Sequence, residues 1–187
     1  MKLIVIRGNS GSGKTIITDT LADKLGAEKI HIDYLKTATQ KDLLASSNPV
    51  NWKGVYKDVA RETMARLAKM KSDGVPLVII EELLTNKEFT KDLEKYCVDN
   101  SVEVQWFRIE RGIEKIIELG ESPERATREI RNSKENIEMI ESQIRENVIE
   151  GEVVIMNNGI IEDAIHELLV NISGEGARKE ISFDKLS

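Results

Sequence analysis

Apolar positions along this chain switch between two periods. Leu3 to Ile6 form a short β-branched run closed by Arg7 and Gly8, which predicts a buried strand. From Thr15 the spacing becomes helical, with Ile17, Leu21 and Leu25 four apart and Gly26 placed as a stop. A second strand fits Lys29 to Ile32. The polar stretch from Tyr34 to Val50 has little periodicity and breaks at Asn48-Pro49, so it predicts a loop-rich or helical insert. Asn51 suits the cap of a helix reaching about Lys71 through Val55, Val59, Leu67 and Met70, and Asp73-Gly74 ends it. Val75 to Ile80 is the most continuous apolar run, as a central strand covered on both faces should be, and it stops at Glu81-Glu82.

The second half continues the alternation. A helix is predicted from about Asn86 to Cys97, a strand over 102–109 and a helix from about Ile113 to Leu119. Ser122 and Pro123 suit the cap and first turn of another helix, running to Val148 through Ile130, Ile137 and Ile144; that seven-residue spacing also permits a coiled arm. Val153 to Met156 reads as a last strand, Asn157-Asn158-Gly159 as a turn and Ile161 to Ile172 as a closing helix, after which the pattern dissolves into a polar tail over 173–187. Strands near 3–6, 29–32, 75–80, 102–109 and 153–156, separated by helices, argue for a five-stranded parallel sheet, because each parallel connection needs a crossover.

Composition narrows this picture. A length of 187 residues suits one α/β core over 1–172, and 40% apolar with 32% charged residues is the balance of a globular protein. A net charge of −6 argues against general attraction to nucleic acid or an anionic membrane, so any anion site must be built locally. No apolar run approaches the ~20 residues that span a bilayer, and Met1 leads almost directly into a strand, leaving no room for a signal sequence. A cytoplasmic protein is expected. The one cysteine, Cys97, shares a helical face with Phe89 and Leu93 and reads as a core thiol.

Gly8-Asn9-Ser10-Gly11-Ser12-Gly13-Lys14-Thr15 matches G-x-x-x-x-G-K-[ST], and it lies between a predicted strand and a predicted helix. Glycines let the backbone curl so that successive N–H groups point at phosphate oxygens, and the helix adds the positive end of its dipole. Lys14 would reach the β- and γ-phosphates, and the Thr15 hydroxyl would ligate Mg2+. The loop therefore implies a nucleoside triphosphate, ATP foremost, with magnesium.

Other candidates rest on position. Glu81 follows the central strand, where an acid can hold the metal; Glu82 would contact an acceptor or a water. Asp33, just past the second strand, is the candidate general base for an acceptor hydroxyl, and it suits equally a helix cap for the segment from Tyr34. His31 is expected on the opposite strand face, in a structural role. Arg108 and Arg111 end the fourth strand, while Arg125, Arg128 and Arg131 recur every three residues on the helix from Pro123. Such guanidinium groups could meet phosphoryl charge from a closing segment, or pair with Glu121, Glu124 and Glu129 on the surface.

Taken together, GNSGSGKT, Asp33, VIIEE and the late arginines resemble the P-loop kinase family, which includes nucleoside monophosphate, shikimate and gluconate kinases and antibiotic phosphotransferases. The likeness spans most of 1–172. It implies a three-layer α/β/α fold, an acceptor-binding insert over 34–71, a helical lid over 110–150, a base pocket lined by Asn157 or Asn158, and Arg111 among the cofactor-binding residues. By the same resemblance Lys14, Asp33, Arg125 and Arg128 are the catalytic candidates, and Lys36, Lys41, Trp52 and Lys53 lie where an anionic or flat acceptor would bind.

The activity implied is transfer of the γ-phosphate of Mg-ATP to a nucleotide or small-molecule acceptor. The alternative is a nucleoside triphosphatase serving a switch or motor, with Glu82 polarising water; a nucleotide-binding regulator without turnover is a third. A GTPase is disfavoured because Asn86-Lys87-Glu88-Phe89 lacks the Asp that reads guanine, and a transport ATPase because L-S-G-G-Q is absent.

Overall fold

The computed structural model describes residues 1–36, 52–120 and 134–174. Five strands form one sheet in the order β2-β3-β1-β4-β5. They are β1 (Lys2–Gly8), β2 (Glu28–His31), β3 (Leu77–Glu82), β4 (Glu103–Glu110) and β5 (Val153–Met156). Every pairing is parallel. Each return to the starting edge therefore needs a crossover, and the helices provide them. These are α1 (Lys14–Leu25), α2 (Trp52–Ser72), α3 (Lys87–Asp99), α4 (Ile113–Gly120), α5 (Lys134–Glu146) and the closing α6 (Ile161–Ser173).

Strand alternation divides the core between two faces. Leu3 and Val5 of β1 with Val78 and Ile80 of β3 pack against Val55, Val59 and Leu67 of α2 and Phe89, Leu93 and Cys97 of α3. Ile4, Ile6, Ile79, Phe107 and Ile155 pack instead against Ile17 and Leu21 of α1 and Ala164, Ile165 and Leu168 of α6. The sheet is thus covered on both sides, the three-layer arrangement expected from the sequence. Local stops agree with their residues: Gly26 ends α1 in the left-handed region at φ 61, and Asn86 caps α3 by accepting from the Phe89 N–H at 2.9 Å.

Three boundaries differ from the expectation. The strand expected to be central is β3, which lies between β2 and the central β1, starts at Leu77 rather than Val75 and runs through both acids, because the register against β1 continues to Ile6↔Glu81 and Arg7↔Glu82. Glu81 and Glu82 are therefore strand residues, with side chains on opposite faces, and both are buried. Ile32 leaves β2 and opens a helical turn over 32–36, so Asp33 lies inside that turn instead of capping one at Tyr34. Of the helix expected from Pro123 to Val148, the described part ends at Glu146. Ser122, Pro123 and the cap at Asn51 lie outside the described residues, as does the tail from 175.

Arg7 closes the α2–α3 face of β1. It is fully buried and pairs with Glu152 through both Nε and Nη2, the latter to Oε2 at 2.7 Å. Its Nη1 donates to the Ile144 carbonyl at 3.0 Å and the Leu84 carbonyl at 3.5 Å. Removing one partner of a buried pair leaves the other charge uncompensated. Glu152→Gln is therefore expected to lower unfolding free energy by about 3–5 kcal/mol, read from urea denaturation; a loss within noise would show that Arg7 is held without it.

Burial, aided by the charge of Glu94, pushes the Cys97 thiol up to about 11 from its ordinary 9.0. Unfolding above pH 9 thus releases a proton the fold retains, and this group's contribution to stability declines as pH rises from 9.0 towards about 11. At pH 8 an aromatic disulfide reagent should label the urea-unfolded chain at least about tenfold faster than the native one, and equal rates would place the thiol at the surface.

Candidate active site

The phosphate loop leaves β1 at Gly8 and enters α1 at Lys14. Its glycines are required by shape. Gly8, Gly11 and Gly13 have φ of 155, 82 and 93, and a Cβ on Gly8 would collide with the Ile109 carbonyl. A Cβ on Gly13 would lie 2.5 Å from Asn157 Nδ2. Asn157 itself is fully buried, with Nδ2 donating to the Ser12 carbonyl at 2.7 Å and its own N–H to the Glu110 carbonyl at 2.8 Å. Its carboxamide is committed to the underside of the loop.

Asn9 secures the other flank. Its Oδ1 accepts from the Ser10 N–H at 2.8 Å, and its Nδ2 donates to the Ile137 carbonyl at 2.9 Å and to Glu141 Oε2 at 3.2 Å, both on α5. Lys14 is buried, and among the described residues its Nζ reaches only the Asn9 carbonyl, at 3.5 Å. Ser12 Oγ, also buried, has no hydrogen-bond partner among them. The loop therefore carries an ammonium held by one long bond and an orphaned hydroxyl, a donor set suited to an anion.

Neighbouring strand ends supply carboxylates. Thr15 Oγ1 donates to Glu81 Oε1 at 2.6 Å. The other Glu81 oxygen lies 3.0 Å from His31 Nδ1, because the β2–β3 register sets His31 beside Glu81. His31 thus lies on the face opposite Asp33, sharing the α1 side with Glu81, and is 3.7 Å from Asp19. On the other face, Lys36 ion-pairs with buried Glu82, lies 3.3 Å from Asp33 Oδ1 and stands 4.9 Å over the Tyr56 ring. Lys36 is thus tied to two carboxylates instead of standing open to an acceptor.

Burial pushes the Glu82 carboxyl above its ordinary range, with Lys36 pulling against it. Burial also opposes the Lys36 ammonium, but Glu82, Tyr56 and Asp33 outweigh it and hold the lysine protonated. Lys36 therefore stays cationic beside Glu82.

The remaining candidates are spread. Arg108 pairs with Glu110 at 2.9 Å and approaches Glu152 at 3.7 Å, which makes it part of the sheet's ion-pair network. Arg111 is half-buried, with Nε lacking a hydrogen-bond partner. Arg125, Arg128, Arg131 and Lys41 lie outside the described residues, and of Trp52 and Lys53 only the helical backbone is described. Sequence reasoning missed Arg7, the part played by Asn9 and the Lys36–Glu82 pair. The available signal was the charged or titratable residue at or next to the end of β1, β2, β3 and β4, since parallel register brings such ends together.

No family model and no curated protein sequence matches the chain. Among solved structures it is similar to a gluconokinase from Sinorhizobium meliloti 1021, at 13% identity over 97% of each chain with a TM-score of 0.64. A putative kinase from Chloroflexus aurantiacus j-10-fl aligns at 15% identity over 90% of this chain and 96% of that one, with a TM-score of 0.66. Shikimate kinase from Acinetobacter baumannii aligns at 16% identity over 94% of each, with a TM-score of 0.64.

Gly13→Ala should break the loop, since both φ and the Asn157 contact forbid a side chain. Fluorescent-nucleotide titration is expected to show at least about a hundredfold weaker binding in a variant that still melts cooperatively, whereas unchanged affinity would mean the loop does not cradle the ligand. With the phosphate loop set between β1 and α1 and the strand order β2-β3-β1-β4-β5, the chain has the P-loop kinase fold of these proteins.

Proposed function

We propose that this protein is a kinase that transfers the γ-phosphoryl group of magnesium ATP to a nucleotide or small-molecule acceptor. The observation that carries the proposal is the 2.6 Å bond from Thr15 to Glu81 beside a loop whose Lys14 is nearly unengaged. A hydroxyl ligates a cation only through its lone pairs, and donating its hydrogen to Glu81 leaves those lone pairs outward. The orphaned Ser12 hydroxyl and the glycine cradle fit the same ligand. Thr15 and, beyond it, Glu81 are the residues that would hold the metal. Bound there, magnesium would offset the negative charge of the phosphate oxygens.

The loop N–H groups and the start of α1 orient the triphosphate, and Lys14 follows the charge that develops on the γ-phosphoryl group. Asp33, with a side chain 65% exposed at the sheet's carboxyl edge, is the base that receives the acceptor proton. Arg111 is assigned to the nucleotide's phosphate charge, and the turn of Asn157 and Asn158 to its base side. Arg125 and Arg128 are assigned to a segment that closes over the phosphates. Hydrolysis with Glu82 orienting water would use its Oε2, since Oε1 is held by Lys36.

ATP consumption with magnesium, followed across nucleoside monophosphates and hydroxyl-bearing metabolites, tests this reading. An acceptor-dependent product is expected, and Asp33→Asn should slow its formation by about a hundredfold or more while nucleotide affinity stays within about twofold. Phosphate release indifferent to any acceptor would favour the hydrolytic reading, and equal loss of affinity and rate would remove Asp33 from its role.

A further inference from the structure

Two strands and a helix bring Thr15, Asp19, His31 and Glu81 to one spot behind the phosphate loop. Thr15 and Asp19 are about one turn apart on α1 and share a face. His31 and Glu81 stand side by side, because the β2–β3 register pairs them and a parallel pair turns such residues to the same side of the sheet. Thr15 donates to one Glu81 oxygen at 2.6 Å, and His31 Nδ1 meets the other at 3.0 Å. A carboxylate only accepts, so Nδ1 carries the hydrogen. On the far side of the ring Nε2 lies 3.7 Å from Asp19, which Lys29 holds at 2.7 Å, and Tyr34 packs edge-on at 5.2 Å between centroids.

A glutamate side chain has one more rotatable bond than an aspartate, and ordering it costs correspondingly more. Thr15 anchors one Glu81 oxygen only, which by itself leaves the carboxylate free to turn about that contact. The bond from His31 anchors the other oxygen and fixes the carboxylate plane. The Glu81 side chain is 7% exposed and that of His31 20%, so water competes little for this bond. Asp19 and Tyr34 bound the ring and keep it in place.

Resting on the reading of Thr15 and Glu81 as the residues that would hold magnesium, we infer that His31 is a positioning residue for that ion. Its Nδ1–H locks the Glu81 carboxylate in one orientation, and it acts through Glu81 alone. Groups that hydrogen-bond a metal-holding side chain set its orientation, and losing one typically costs about 10–100-fold in metal affinity.

The test reads binding instead of turnover. Calorimetry gives the affinity of the full chain for the β,γ-imido analogue of ATP in excess Mg2+ and in EDTA, and the ratio is the gain from the metal. His31→Leu, which keeps the volume and removes the donor, should cut that gain about tenfold or more while the EDTA affinity stays within about twofold. His31→Asn, whose amide N–H₂ can take the place of Nδ1–H, should restore the gain to within about threefold of the native chain. In a Glu81→Ala chain, His31→Leu should alter the gain less than about twofold, because the effect passes through Glu81. Equal loss in Mg2+ and EDTA, an undiminished gain in His31→Leu, or no restoration by His31→Asn overturns the inference and leaves the kinase reading standing. A native chain that gains nothing from Mg2+, or a Glu81→Ala chain that keeps the native gain, overturns the metal assignment as well. A chain that does not bind the analogue at all overturns the kinase reading itself. If His31→Leu does not fold, nitrogen NMR of the native chain decides, since its histidines are His31 and His166. His31 should carry a hydrogen on Nδ1 and shift when Mg2+ joins the analogue-bound protein; a bare Nδ1 or an unmoved ring overturns the inference.

Discussion

Arg7 carries a guanidinium into the interior at the end of the central strand, and much of the architecture around the phosphate loop depends on how it is satisfied. Glu152 supplies the counter-charge immediately before β5, while carbonyls of Leu84 and Ile144 supply acceptors from the segment after β3 and from α5. Three separate stretches of chain are therefore drawn to one buried charge on β1. An arginine in that position is expensive to leave unpaired, which makes the arrangement of those stretches cooperative. The next residue is Gly8, so the loop starts from a fixed point.

The loop is then braced from two sides by amides. Asn157 holds the Ser12 carbonyl from below, and Asn9 reaches α5 through Ile137 and Glu141. Glu141 also pairs with Arg145 at 3.0 Å, which extends the connection along the helix. These bonds engage side chains, loop carbonyls and the Ser10 and Ser12 N–H groups, while the Lys14 ammonium keeps a single long bond to the Asn9 carbonyl among the described residues. Preorganisation of this kind lowers the cost of binding, since the loop does not have to be ordered by what it holds.

At the sheet edge the consecutive acids of VIIEE serve different environments because a strand alternates its side chains. Glu81 faces α1 and meets Thr15 and His31, whereas Glu82 faces the α2 layer and meets Lys36. One residue of separation thus places two buried carboxylates in different environments. That division follows from the parallel register of β1, β2 and β3, which sets Ile6 and His31 level with Glu81.

Much of this was legible in the chain itself. The apolar runs at Leu3 to Ile6 and Val75 to Ile80, the helical spacing of Ile17, Leu21 and Leu25, and the glycines of GNSGSGKT announce five strands, their crossovers and a phosphate loop. Those features depend on period and on backbone conformation, which are local properties. The pairing of Arg7 with Glu152, of Asn9 with α5, of His31 with Glu81 and of Lys36 with Glu82 was not legible, because the partners lie from 46 to 145 residues apart. Sequence alone determined where strands, helices and the loop would form. Only the tertiary structure decided which charges would neutralise one another, because that choice depends on strand order and register, and neither is written in any local window.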